Sequence, residues 1–527
     1  MTLNDPIGWR PWWRDSVTYQ VYVRSFADSD GDGVGDLAGI TSRLGYLRDL
    51  GVDALWITPF YPSPQHDHGY DVADYCDVDP LFGDLAAADE LLATAHDLGL
   101  RVVVDLVPNH TSSDHPWFRA ALAAGPGSPE RARYLFRESA GAPPNNWGSV
   151  FGGPAWTQLE DGQWYLHLFD STQPDLDWRN PEVPAMFEDV LRFWLDRGID
   201  GFRVDVAHGL FKEESLRDQV LAPTDGGHRG SMVERRLHDE PMWDQPEVHD
   251  VYRRWHRILA EYDGDRMAVA EAWTQTPESM ARFVRPDELS QTFNFGWLLA
   301  EWSATAFADV IHGTLAAMAP VGAAPTWVLS NHDVVRHTTR YGGGELGLAR
   351  ARAATLTMLA LPGSAYLYQG EELGLPEVDV APEDWQDPAS LRTGQKGRDG
   401  CRVPLPWSGT TAPYGFGPVA GQPWIPQPDE WAGLSVEAQL GRVGSTLEFY
   451  REALHARREH TPAAGDLAAI VDGPRDVVTI ERGPITVVLN CGTTPVPLPE
   501  GEILIASGEL DGGKLPADTA VWLRESA

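Results

Sequence analysis

The feature that most constrains this 527-residue sequence occurs three times: a helix-like stretch ends in glycine, and a run of β-forming apolar residues follows at once. It reads DLGVDALWITP around Gly51, DLGLRVVVDLV around Gly99 and DRGIDGFRVDV around Gly198. Glycine just past a helix end can take the left-handed conformation that closes the last turn, and the Val, Ile and Leu that follow suit a strand buried on both faces. These are helix-to-parallel-strand units. The third also shows its start, with Asn180 as cap, Pro181 at the first helical position and Glu182 in the first turn.

Extending the search gives eight candidate strands, at 17–26, 54–60, 101–107, 201–206, 267–273, 291–295, 326–331 and 364–369. Eight strands with helical segments between them is the count of a closed α/β fold, the (β/α)8 or TIM barrel. An open doubly wound sheet is the competing fold, but no glycine-rich dinucleotide loop follows the first strand, and no organic cofactor is expected. Roughly a hundred residues separate strands three and four, far more than one crossover needs. The excess predicts an inserted subdomain after strand three, on the functional rim. After the eighth strand comes a charged helix at 446–460, then short strands at 477–483, 486–490 and 520–524 that predict a C-terminal antiparallel β domain. The expected partition is therefore 1–110 and 179–462 for the barrel, 111–178 for the insert (domain B) and 463–527 for the terminal domain.

Charge removes several function classes. Lys plus Arg number 41 against 77 Asp plus Glu, and the net charge of −36 would repel nucleic acid and anionic membranes, while solubility accounts for it without any functional role. Cys76, Cys401 and Cys491 are odd in number and widely spaced, which suggests neither a disulfide framework nor a zinc site. Residues Met1 to Ser16 show no apolar stretch resembling a signal peptide, and no later run approaches a membrane span, so a cytoplasmic location is expected.

In such a barrel, polar residues at the carboxyl ends of strands face the active site. Those positions hold Asp105, Asn109 and His110 after strand three, Arg203 and Asp205 on strand four, Glu271 on strand five, and His332 with Asp333 after strand seven. A lone Asp at a strand end is more often a cap or an ion-pair partner. Several carboxylates converging from separate strands repel one another, so a fold keeps them only for a use. Glycosidic cleavage needs such a set: one carboxylate attacks the anomeric carbon, an acid protonates the leaving oxygen, and further negative charge supports the transition state. Arg203 shares a strand face with Asp205 and is expected to keep it ionised. Glu271, between Ala270 and Ala272, is expected to have an apolar setting that holds a proton. A double displacement would place the two carboxyls roughly 5 to 5.5 Å apart.

The strings DLVPNH (105–110), GFRVDVAHG (201–209), VAEAW (269–273) and SNHD (330–333) resemble, in order, four conserved regions of the α-amylase superfamily, glycoside hydrolase family 13. QPDLDW (173–178) is similar to the QPDLNW marker of its oligo-1,6-glucosidase and α-glucosidase subfamily, with Asp177 in place of Asn. The resemblance implies Asp205 as nucleophile, Glu271 as acid/base and Asp333 as transition-state stabiliser. It further implies sugar contacts from Asp67, Tyr70, Asp105, His110, Arg203, His332 and Arg398, with Phe151, Phe169 and Gln173 lining the pocket wall. Asp67 and Arg398 together would grip the 4-hydroxyl of a terminal glucose, which makes the enzyme exo-acting.

DSDGDGVGD (28–36) has acidic residues at alternating positions, a loop able to wrap oxygen ligands around a hard cation. It is not an EF-hand, because Gly39 stands where the closing Glu belongs. It resembles the calcium loop of the glucosidase subfamily, which implies structural Ca2+ held by Asp28, Asp30, Asp32, the Val34 carbonyl and Asp36. In that subfamily Val after the nucleophile goes with α-1,6 linkages and a smaller residue with α-1,4. Here Val206 is followed by Ala207, His208 and Gly209, which depart from the α-1,6 pattern. The expected activity is a retaining α-glucosidase on short α-glucosides, α-1,4 favoured with α-1,6 second, acting as a monomer or homodimer. The alternatives are an oligo-1,6-glucosidase or a glucosyl transferase or isomerase of the same fold. A non-enzymatic transporter heavy chain would need a membrane span and lost carboxylates.

Overall fold

The computed structural model describes residues 10–220, 240–418, 421–464, 468–471 and 473–524. Residues 1–9, part of the amino-terminal stretch read above, lie outside them, as do residues 221–239.

All eight predicted strands form, as β1 (Val17–Val21), β2 (Ala54–Ile57), β3 (Arg101–Leu106), β4 (Gly201–Val204), β5 (Met267–Ala270), β6 (Gln291–Asn294), β7 (Thr326–Val328) and β8 (Ser364–Tyr368). They close into one parallel barrel, with β1 paired to both β2 and β8. The three glycines do what the sequence requires of them, with φ of 102° at Gly51, 77° at Gly99 and 103° at Gly198. Asn180 Oδ1 accepts from the Glu182 N–H at 3.0 Å, capping the helix Glu182–Asp196.

Between β3 and β4 the insert carries a three-stranded antiparallel sheet, Phe136–Glu138, Gln163–Leu166 and Trp156–Gln158 in that order. Two isolated bridges, His110 to Asp175 and Tyr134 to Leu176, tie it to the rim. The C-terminal sheet has five antiparallel strands, two more than the sequence suggested: Ala469–Val471 and Glu502–Ala506 flank the predicted three. It docks on the helix Gly344–Ala360, where the Trp522 indole donates to the Leu356 carbonyl at 3.0 Å and Arg482 to that of Ala360 at 2.7 Å. The three cysteines are free thiols.

The expectation that no segment reaches spanning length needs correction, since Ala304–Val321 is apolar enough over 18 residues. Its helix, Ala304–Met318, packs against the helix Pro277–Arg282 and the C-terminal sheet, and buries Phe307, Ile311 and Met318. Charges at the amino-terminal rim are structural. Asp200 there accepts from Arg101 at 2.9 Å and from Arg266 and His96 at 2.7 Å.

Candidate active site

The period of two along each strand decides which side chains reach the opposite rim. Val103, Met267 and Val269 point inward and pack with Trp56, Phe293, Val328 and Tyr366. Asp105, Arg203, Asp205 and Glu271 share that inward parity, so they form the next layers above an apolar floor. A Cβ at Gly201 would lie 2.8 Å from the Met267 side chain, so glycine there lets Met267 fill the floor. Ladder hydrogen bonds continue beyond the strand ends, from the Asp205 N–H to the Leu106 carbonyl at 2.8 Å and from the Glu271 N–H to that of Val204 at 2.9 Å.

Arg203, only 1% exposed, is the hub. Its Nη1 donates to Asp105 Oδ1 at 2.8 Å and to Asp205 Oδ1 at 2.6 Å, and its Nη2 lies 2.9 Å from Glu271 Oε2. The guanidinium lies 4.9 Å from the Trp56 ring centroid, and the Trp56 indole in turn donates to Asp105 Oδ2 at 3.0 Å. Glu271 also accepts from the Val206 N–H and from Trp273 Nε1, each at 2.9 Å. Its setting is therefore not the apolar one expected. Strand alternation turns Ala270 and Ala272 away, and three donors meet the carboxyl instead. Val206 has φ of 46°, a left-handed value that β-branched residues avoid, and this turn aims its N–H at Glu271. Such a conformation costs about 1–3 kcal/mol and is kept where the surroundings enforce it.

Asp205 and Glu271 stand on the same rim, bridged by the two terminal nitrogens of Arg203. Burial pushes the Asp205 carboxyl well above the usual carboxylate range; Arg203 opposes this, while Glu271 and Asp105 add to it. Arg203 thus orients Asp205 without alone keeping it ionised. Burial likewise raises Asp105 to about 6, against the pull of Arg203.

On the far side, Arg398 donates to Asp67 Oδ1 and Asp333 Oδ1, each at 3.0 Å, and twice to Asp387 at 2.9 Å. Arg402 reaches Asp333 Oδ1 at 3.1 Å. Burial alone would raise Asp333, but His332, Arg398 and Arg402 outweigh it and hold that carboxyl well below its usual range. Asp67 has fewer cations facing it, and burial lifts it to about 6. His332 is stacked between Tyr70 and Tyr22, at 5.3 and 5.4 Å between ring centroids, and burial keeps its imidazole neutral. Gln20 Nε2 lies 2.6 Å from its Nδ1, which directs the proton to Nε2, 3.4 Å from Asp333 Oδ2.

These groups surround a cavity of about 680 Å³. Of the predicted residues, Asp67, Tyr70, His110, Phe151, Phe169, Asp205, Val206, Glu271, His332, Asp333 and Arg398 line it. Asp105, Arg203 and Gln173 stand behind the wall, where Gln173 donates to Asp67 Oδ2 at 3.0 Å. Asp177 caps a turn by accepting from the Arg179 N–H and does not line the cavity. Three contributors were missed. Asp387 caps the short helix Pro388–Thr393 and anchors Arg398, and its Asp-Pro sequence is a helix-start signal that could have been read. Trp273 shares the inward parity of Glu271, so alternation could have placed it, whereas Arg402 lies outside the barrel strands, where alternation gives no guide.

In the acidic loop, carboxylate oxygens of Asp28, Asp30 and Asp36 lie within 4.8 Å of one another. That donor set suits a hard divalent cation. Asp32 is not in this trio and accepts from the Val34 N–H at 2.8 Å, and Asp36 also caps the helix Leu37–Leu50 through the Gly39 N–H.

Residues 20–465 match the α-amylase catalytic-domain family. The chain is 39% identical over 483 residues to a probable α-glucosidase of Rhizobium meliloti, covering 86% of this chain and 84% of that one. It is 35% identical to an oligo-1,6-glucosidase of Parageobacillus thermoglucosidasius, with the same two coverages. The crystal structure of an α-glucosyl transfer enzyme superposes with a TM-score of 0.90 at 38% identity, covering 98% of this chain and all of that one.

Proposed function

The chain belongs to the α-amylase family of glycoside hydrolases, and from that premise we propose that it is an exo-acting, retaining α-glucosidase on short α-glucosides. The observation that carries this reading is the meeting of Asp205 and Glu271 on one rim, both held by Arg203. Two carboxyls on one rim supply the nucleophile and the acid that double displacement requires. Asp205 attacks the anomeric carbon while Glu271 delivers the proton to the departing oxygen. Glu271 then takes a proton from water as the glucosyl–Asp205 bond breaks. Asp333, kept ionised by the Arg398 and Arg402 guanidiniums, faces the positive charge that develops on the sugar ring.

The Asp67–Arg398–Asp333 chain supports the exo mode, because all three line the cavity and offer charged partners to the hydroxyls of a terminal glucose. We favour α-1,4 linkages, with α-1,6 second. Anomeric NMR of early product, combined with rates on maltose, isomaltose, sucrose and trehalose side by side, tests the reading. The α-anomer of glucose is expected first, with maltose fastest; β-glucose first would overturn retention, and transfer products in place of glucose would favour a glucosyl transferase.

The residues of the acidic loop fit Ca2+, with Asp28, Asp30 and Asp36 as carboxylate ligands. Calcium bound there would stabilise the fold, by about 2.7 kcal/mol at a hundredfold excess over Kd. Chelation is expected to lower the melting temperature and added calcium to restore it, and Asp30→Asn should remove the response. A melting curve indifferent to chelator counts against the site.

A further inference from the structure

Lys212 is 1% exposed and does not line the cavity, yet its ammonium meets three acceptors: Asp175 Oδ2 at 2.7 Å, Asn109 Oδ1 at 2.7 Å and the Gly209 carbonyl at 2.6 Å. Three acceptors satisfy its three N–H groups. A buried ion pair is weak as a source of stability, since desolvation offsets most of the attraction, and its best-attested use is to fix one arrangement.

The acceptors come from three segments that each form part of the pocket. Asn109 precedes His110, and its Nδ2 lies 3.1 Å from His110 Nδ1, fixing which ring nitrogen carries the proton. Asp175 Oδ1 accepts from the Leu168 N–H at 2.8 Å, just before Phe169 on the cavity wall. Gly209 closes the left-handed turn after Asp205, its N–H donating to the Val206 carbonyl at 2.8 Å. That turn carries the Val206 N–H to Glu271.

We infer that Lys212 is a positioning residue for glucoside cleavage: one buried ammonium locks the Val206 turn, His110 and the domain B wall in register around the sugar. The inference rests on the site assignment proposed above. Displacements of about 1 Å at such groups cost on the order of a hundredfold in rate.

Lys212→Met alone leaves Asp175 buried without its partner, so that variant is expected to melt early. The decisive variant is Lys212→Met with Asp175→Asn, which removes both charges and keeps the amide oxygen for the Leu168 N–H. It should regain most of the melting temperature, yet at 25 °C show kcat/KM on an aryl α-glucoside lowered at least about tenfold, with kcat down and KM up. Recovery of both constants along with the melting temperature would reduce Lys212 to a structural role and overturn the inference. If the double variant fails to fold, Asn109→Ala decides: it keeps the ion pair and is expected to raise KM about tenfold through His110, and an unchanged KM overturns the inference. Asp205→Asn is run alongside. Full turnover in that variant refutes the site assignment, whereas a dead Asp205→Asn beside a fully active double variant refutes only the role of Lys212.

Discussion

Replacing Asp205 with Asn is expected to cut turnover by on the order of 10⁴-fold or more, because a nucleophile that acts as one unit with its acid leaves little behind when removed. Glu271→Gln should cost ~10²–10⁴-fold, the usual range for a general acid, and less on substrates whose leaving group needs no proton. Both side chains keep their size, and in Glu271→Gln one of the two donors, Val206 N–H to Oε2 or Trp273 Nε1 to Oε1, keeps an oxygen acceptor, so folding should survive at a small cost. Rate alone does not separate the two roles, but stereochemistry does. With an activated aryl α-glucoside and azide, Asp205→Gly should yield the β-glucosyl azide, since azide takes the place of the missing nucleophile. Glu271→Ala should yield the α-glucosyl azide, formed by azide attack on the covalent glucosyl–Asp205 intermediate. The opposite pairing of products would exchange the two assignments, and no azide adduct from either variant would speak against double displacement.

The barrel was legible because its signals are local. Gly51, Gly99 and Gly198 each had to close a helix and start a strand, and the register of inward positions followed from alternation alone. Strand ends were overestimated for a physical reason: rim loops take over the hydrogen bonds. The first strand was read to residue 26 but stops at Val21, because the Tyr22 N–H goes to Gln369 Oε1 and the Val23 N–H to Thr58 Oγ1. The catalytic layer was legible through its carboxylates, whereas the way those charges are balanced was not. Asp387 lies 54 residues after Asp333, lines the cavity and holds Arg398 at 2.9 Å. Lys212 looks like an ordinary surface lysine until the fold buries it. The raised pKa of Asp205 depends on burial, which composition around a single residue does not reveal; the flanking alanines of Glu271 pointed to an apolar pocket where the fold supplies three donors.

Arg203→Met is expected to be the most damaging single change in stability, and its pH dependence identifies the cause. The guanidinium touches Asp105, Asp205 and Glu271, all buried. Removing one partner of a buried ionic cluster costs about 3–5 kcal/mol, because the charges left behind have neither water nor a counterion. Asp105 already sits at about 6 with the arginine in place, and Asp205 is raised as well. Without Arg203 both move further up, away from their unfolded value of about 3.9. The folded variant then binds more protons than its unfolded chain from about pH 4 up to those raised values, so its stability must fall as pH rises through that window. Near pH 4–5 the carboxyls are protonated and the deficit against wild type is smallest; by pH 8 it is fully expressed. Melting temperatures of the two proteins, measured from pH 5 to 8, should therefore diverge steadily. A deficit independent of pH would mean that Arg203 contributes packing against Trp56 rather than charge.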